Sequence, residues 1–197
     1  MSFVTSRTAK VATPAAQGER YEPAVGFVLT GVMAAGKSTV AELLAQRFSR
    51  GVHLRGDVFR KMIVRGRDPI TPELGDEALR QLDLRQRLAA SVANDYWRDD
   101  FTVVLQDIYA GPALNNVVGR LEISPLYVVV LSPQPDVVAA RERQRDKSGY
   151  GAWDVAAFCA SFEAETPRVG LWLDTSELSP DETVDEIMRR RLDARVR

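Results

Sequence analysis

The sequence predicts an α/β domain: a five-stranded parallel sheet in three layers, with helices on both faces. Three observations lead there. Strand-like runs alternate with helical segments along the chain. Four of the five runs are dense in Val, Leu or Ile without polar alternation, as strands covered on both faces must be. The 197 residues suit one domain of ordinary size with room for a core. In order, strands are expected at 26–30, 52–55, 101–106, 126–131 and 169–174, the second being the least apolar. Helices are expected at about 37–49, 57–65, 73–99, 112–120, 134–147, 153–164 and 180–194. The first carries Val40, Leu43, Leu44 and Phe48 at helical spacing, with Glu42, Gln46 and Arg47 between them. The long third one opens acidic and sets Leu79, Leu82, Leu88 and Val92 on a broad apolar face. The last begins Ser179-Pro180-Asp181-Glu182, an N-cap serine, a proline at N1 and a glutamate at N3, which is a capping box. Strands alternating with helices imply right-handed crossovers.

Composition narrows the class. Apolar residues make up 45% and charged residues 27%, so the expectation is a soluble globular chain. A net charge of −1 supplies no whole-surface field toward nucleic acid or membrane. No run approaches the ~18 apolar residues of a membrane helix. The single Cys159 cannot form an internal disulfide, which fits a reducing cytoplasm, and its apolar neighbours suit packing rather than reactivity. Residues 1–24 lack the apolar core of a secretory signal and are expected to be a flexible leader to a single domain over 25–197.

The stretch Gly31-Val32-Met33-Ala34-Ala35-Gly36-Lys37-Ser38-Thr39 decides the chemistry. It holds G-x-x-x-x-G-K-S, directly after an apolar run and before an amphipathic one, the setting of a phosphate-binding P-loop. Gly31 and Gly36 let the backbone wrap closely, so that N–H groups and the helix dipole face phosphate oxygens. Lys37 can then reach the β- and γ-phosphates, and the Ser38 hydroxyl can ligate Mg²⁺. The fold class is thus a three-layer P-loop NTPase domain, and ATP with Mg²⁺ is the expected ligand. No N-K-x-D guanine signature and no L-S-G-G-Q segment is present, and the chain is too short for the large motor ATPases. Small kinases remain.

Five further groups are candidates for the site. Asp57 lies at the carboxyl edge of the second strand-like run, on the rim the P-loop occupies. There it serves either as the base and orienter of an acceptor hydroxyl or as a plain helix cap. Arg60, one turn on, either binds the acceptor or is a solvated helix arginine, and Arg65 and Arg67 offer further cationic contacts. Asp107, just past an apolar run, can hold Mg²⁺ or its water shell, contact the acceptor, or satisfy loop amides. Tyr109 either lines the acceptor pocket or joins the core. Arg141 and Arg145 share a helix face that ends in a glycine-flanked loop, and a short lid over about 141–153 would bring them onto the transferring phosphoryl. Trp153 and Phe158 are expected to pack the lid helix.

These residues resemble the small P-loop phosphotransferases, chloramphenicol phosphotransferase and its relatives in particular. The likeness runs over most of residues 26–193. It rests on Ala35-Gly36-Lys37-Ser38, on Gly56-Asp57, on Gln106-Asp107-Ile108-Tyr109-Ala110-Gly111 and on Leu173-Asp174-Thr175. Gln106 departs from the first aspartate of that family's pattern. The resemblance implies phosphorylation of a small molecule's hydroxyl by ATP and Mg²⁺ with Asp57 as base, and the net charge of −1 argues against nucleic acid as a partner. The 55–63 segment is also similar to adenylylsulfate kinases, polynucleotide 5′-kinases and zeta-type toxins. A nucleotide, polynucleotide or toxin-like kinase therefore stands as the alternative, and a non-catalytic ATP-binding regulator as a second one.

Overall fold

A computed structural model describes residues 22–144, 150–151 and 153–197. The strands are β1 (Gly26–Gly31), β2 (Gly51–Arg55), β3 (Thr102–Gln106), β4 (Leu126–Leu131) and β5 (Leu171–Leu173). The helices are α1 (Lys37–Ala45), α2 (Asp57–Lys61), α3 (Asp76–Arg98), α4 (Ala113–Arg120), α5 (Pro135–Arg143), α6 (Val155–Glu165) and α7 (Pro180–Arg189). All five strands are parallel, in the order β2-β3-β1-β4-β5. The expected sheet and its helical layers are therefore present.

The core explains the order. Every residue of β1, β3 and β4 is buried, so the three strands that read as continuous apolar runs fill the centre. The less apolar β2 lies at one edge and the short β5 at the other. Val28, Val104, Val128 and Val129 are wholly shielded from water. Each buried side chain of this size contributes about 1.5–3 kcal/mol relative to exposure. Leu44 and Ala41 from α1, Ala89 and Ala93 from α3, and Ile187 from α7 close over them.

Several elements are shorter than the sequence suggested: α1 ends at Ala45 and α7 at Arg189, each about a turn early. Helix α2 stops at Lys61, because Gly66 (φ 81°), Pro69 and Pro72 keep the following segment irregular. Helix α3 opens at Asp76, after that segment. Strand β5 starts only at Leu171, since Gly170 (φ 72°) turns the chain against the backbone of Val128. Below β5, the C-terminal residues take over pairing with β4: the Val128 amide donates to the Ala194 carbonyl, and the Val196 amide to that of Leu126. The capping box of α7 forms as expected, with Ser179 Oγ accepting from the Glu182 amide and the Glu182 carboxylate from the Ser179 amide.

Candidate active site

The carboxyl ends of β1, β2 and β3 form one rim, and a cavity of about 520 Å³ opens on it. Its floor is the loop between β1 and α1. Gly31 has φ 145°, and a Cβ there would fall 2.4 Å from the Leu131 carbonyl oxygen, so the strand-to-loop turn demands glycine. Gly36 sits at the N-cap of α1 in the left-handed region and has no side chain to cap it, which leaves the first amides of α1 for a ligand. Between them Ala34 also takes φ 61°, a conformation costing about 1–2 kcal/mol for a residue with a Cβ. Met33, Ala34, Gly36, Lys37, Ser38 and Thr39 line the cavity, whereas Val32 and Ala35 are buried against the core.

Lys37 is largely buried, and its ammonium donates to the Val32 carbonyl at 2.7 Å. The Ser38 hydroxyl donates to Gln106 Oε1 at 3.1 Å. The last residue of β3, rather than the next one along, therefore faces the metal-type hydroxyl of the loop. Among the described residues no group of three or more His, Cys, Asp or Glu is placed to hold a metal unaided. A Mg²⁺ would fit here only with phosphate oxygens completing the shell around Ser38.

Asp57 heads α2 and lines the same cavity. Its Oδ2 accepts from Lys61 Nζ and its Oδ1 lies 3.4 Å from Arg55 Nε, yet Oδ1 makes no hydrogen bond among the described residues. Burial raises its pKa, but the Lys61 hydrogen bond and the charges of Arg55 and Lys61 outweigh it, so the carboxyl is held below its ordinary value. It is an ionised group on the cavity lining, and its Oδ1 is shielded from water and without a hydrogen-bond partner among the described residues.

Asp107 is engaged elsewhere. Its two oxygens accept from Arg85 of α3, one from Nε at 2.6 Å and the other from Nη2, and Oδ1 also accepts from the Ile108 amide at 2.8 Å. The residue that follows β3 is thus a carboxylate bonded to an arginine. Gly56 makes room for it, since a Cβ there would lie 2.2 Å from Asp107 Oδ2. Tyr109 lies in the core, fully buried, with its amide donating to Thr30 Oγ1 at 2.8 Å; burial pushes its phenol up. It does not line the cavity. Arg60 also turns away and donates to the Asp68 carbonyl, while Arg65 and Arg67 are exposed. Arg141 does line the cavity, anchored by a 2.8 Å bond to the Thr175 carbonyl. Arg145 lies outside the described residues, as do 146–149 and 152 of the lid expected over about 141–153. Of the residues beyond it, Tyr150 donates from its hydroxyl to the Met33 carbonyl at 3.0 Å, and Trp153 packs edge-to-face on Phe158 at 5.1 Å.

Sequence reasoning did not select Arg55, Arg85 or Gln106. The signal for Arg85 was present: Ala78, Gln81, Arg85 and Ala89 fall on one stripe of α3, and a lone cation on a stripe that is otherwise buried asks for a partner.

The sheet order and glycine loop define a small P-loop kinase fold. The chain belongs to the AAA_33 family, described as an AAA domain, whose family model matches residues 27–164. No curated protein matches the chain. Among solved structures it is similar to a sugar kinase from Janibacter sp. HTCC2649, with a TM-score of 0.63 and 18% identity over 87% of this chain and 96% of that one. The tunicamycin resistance protein of Deinococcus radiodurans gives 0.62 and 14%, over 85% and 95% of the two chains. A gluconokinase from Sinorhizobium meliloti 1021 gives 0.56 and 17%, over 88% and 97%. At these identities the likeness is one of fold. No helix among the described residues is long and apolar enough to cross a membrane.

Proposed function

We propose that this protein is a phosphotransferase that moves the γ-phosphoryl group of ATP to a hydroxyl of a small molecule. One observation carries the reading: the ionised Asp57 carboxylate and the phosphate-loop residues Lys37 and Ser38 line the same cavity. The amides at the start of α1 and the Lys37 ammonium take the phosphate tail, with Lys37 exchanging the Val32 carbonyl for phosphate oxygens. The nucleoside is assigned to the smaller cavity of about 210 Å³ whose lining includes Gly36, Arg141, Leu178 and Pro180. Bound at Ser38, Mg²⁺ would supply positive charge to the β- and γ-phosphate oxygens.

On the acceptor side, the Asp57 carboxylate accepts the proton of the incoming hydroxyl. The hydroxyl oxygen bonds to the γ-phosphorus as the bond from phosphorus to the bridging oxygen breaks, and that electron pair leaves with ADP. Arg141, which lines the cavity, is assigned to neutralise charge on the group in transit, and Arg145 is assigned the same part from its sequence spacing. Lys61 and Arg55 keep Asp57 ionised before the acceptor arrives. The test is phosphate transfer from labelled ATP and Mg²⁺ to a panel of hydroxyl compounds. Asp57→Asn should lower kcat by on the order of 10²–10⁴ with ATP affinity retained. Undiminished transfer in that variant would remove the base assignment.

A further inference from the structure

The acceptor half of the cavity contains a buried ion pair that the reaction above does not use. Arg85 and Asp107 are held edge to edge, with side-chain exposures of 11% and 4%. Their two bonds consume Nε and Nη2 of the guanidinium. Nη1 has no hydrogen bond among the described residues and keeps some exposure, and Arg85 lines the cavity. Lys61, bonded to Asp57 from beside the cavity, adds one cation to this half, but the charged side chains that line it are paired. Six charged side chains line the cavity: Lys37, Arg55, Asp57, Arg85, Asp107 and Arg141. Lys37 and Arg141 border the phosphate loop. The remaining four are two cations and two anions, paired as Arg55 with Asp57 and Arg85 with Asp107. Nearby Arg60 is occupied by the Asp68 carbonyl.

From this arrangement we infer that Arg85 is a specificity-determining residue: its Nη1 donates to an oxygen of an uncharged, hydroxyl-bearing acceptor, and Asp107, by neutralising Arg85, discriminates against acceptors that carry a carboxylate or phosphate beside the reacting group. The inference rests on the kinase reading and sharpens its substrate class. A guanidinium fixed on two sides gives a donor of defined direction at little further entropic cost. With its charge already matched, it gains little from an anion, and an anion brought there must also face Asp57 and Asp107. Asp107 is thus a positioning residue acting through Arg85.

The experiment measures kcat/KM with labelled ATP for neutral polyols (glycerol, glucose, sorbitol) and for their carboxylate counterparts (glycerate, gluconate). Binding of a fluorescent ATP analogue is followed in parallel, and thermal unfolding verifies that each variant is folded. The parent should favour the neutral set. Asp107→Asn, which leaves Arg85 charged and unmatched, should shift the neutral-to-anionic ratio toward the anionic set by about tenfold, and Arg85→Gln should shift it the other way. The double variant Asp107→Asn/Arg85→Gln, neutral at both positions, should return to the ratio of the parent. ATP affinity should hold within about twofold throughout, because no group on the phosphate side is altered. A parent that prefers carboxylates, ratios unmoved across the charge series, or transfer to neither set with ATP bound would each overturn the inference and leave the nucleotide site standing. A parent that fails to bind ATP would overturn the kinase reading itself, and this inference with it.

Discussion

The two halves of the cavity are built by different means. The phosphate half consists of consecutive residues: a glycine turn, a loop held from within and the uncapped start of α1. The acceptor half is assembled from side chains of β2, α2, α3 and β3, and its central contact joins residues 22 positions apart in sequence. Backbone geometry makes the first and tertiary packing the second. The phosphate half should therefore lose ligand affinity when altered but keep its fold, whereas the acceptor half should lose both.

Four substitutions would break or sharpen that contrast. The largest effect is expected for Asp107→Ala, which strands the buried Arg85 guanidinium. Urea unfolding should report a loss of about 3–5 kcal/mol, and equal stability would show that water reaches Arg85 freely. Ser38→Ala comes next. In the presence of Mg²⁺ its ATP affinity should fall about 10- to 100-fold with an unfolding midpoint close to that of the parent. If the fold suffered instead, the Ser38–Gln106 bond would belong to the scaffold.

The third concerns protons. Lys61→Met removes the hydrogen bond and one of the two charges that hold the Asp57 pKa down, while the burial that raises it remains. The acid limb of the rate profile should move to higher pH. A carboxyl with a depressed folded pKa stabilises the fold above its unfolded value, about 3.9, and that contribution disappears as pH falls through the folded value. The variant should consequently show a weaker loss of stability between pH 4 and more acid conditions. An unshifted limb would mean that Asp57 is not the group titrating in the rate. Smallest is Ser179→Ala, which removes the α7 cap and should cost about 1 kcal/mol without altering either half of the cavity.

The same contrast decides what could be read from the chain. Strand runs such as 126–131 and the motif from Gly31 to Ser38 are local, so alternation, apolar density and glycine spacing revealed them. Asp57 was legible because the end of a parallel strand fixes which rim a residue joins. Partner choice was not legible. Asp107 looked free for a metal because nothing near it in sequence marks Arg85 as its partner, and Tyr109 looked available because a single aromatic carries no burial signal of its own. Arg60 fell in the right helix but turned toward the irregular segment after α2, whose course the helical reading through residue 65 had missed.

The absent methyl at Gly56 has an evolutionary consequence. A side chain at that position would force the carboxylate seated against it to shift. Descendants of this gene that gain bulk at 56 should have shortened or exchanged residue 107 first, and with it whatever residue 85 has become. Lineages should thus change the three positions together or keep all three, and a change of substrate along the way would surface as a correlated triplet rather than as drift at single sites.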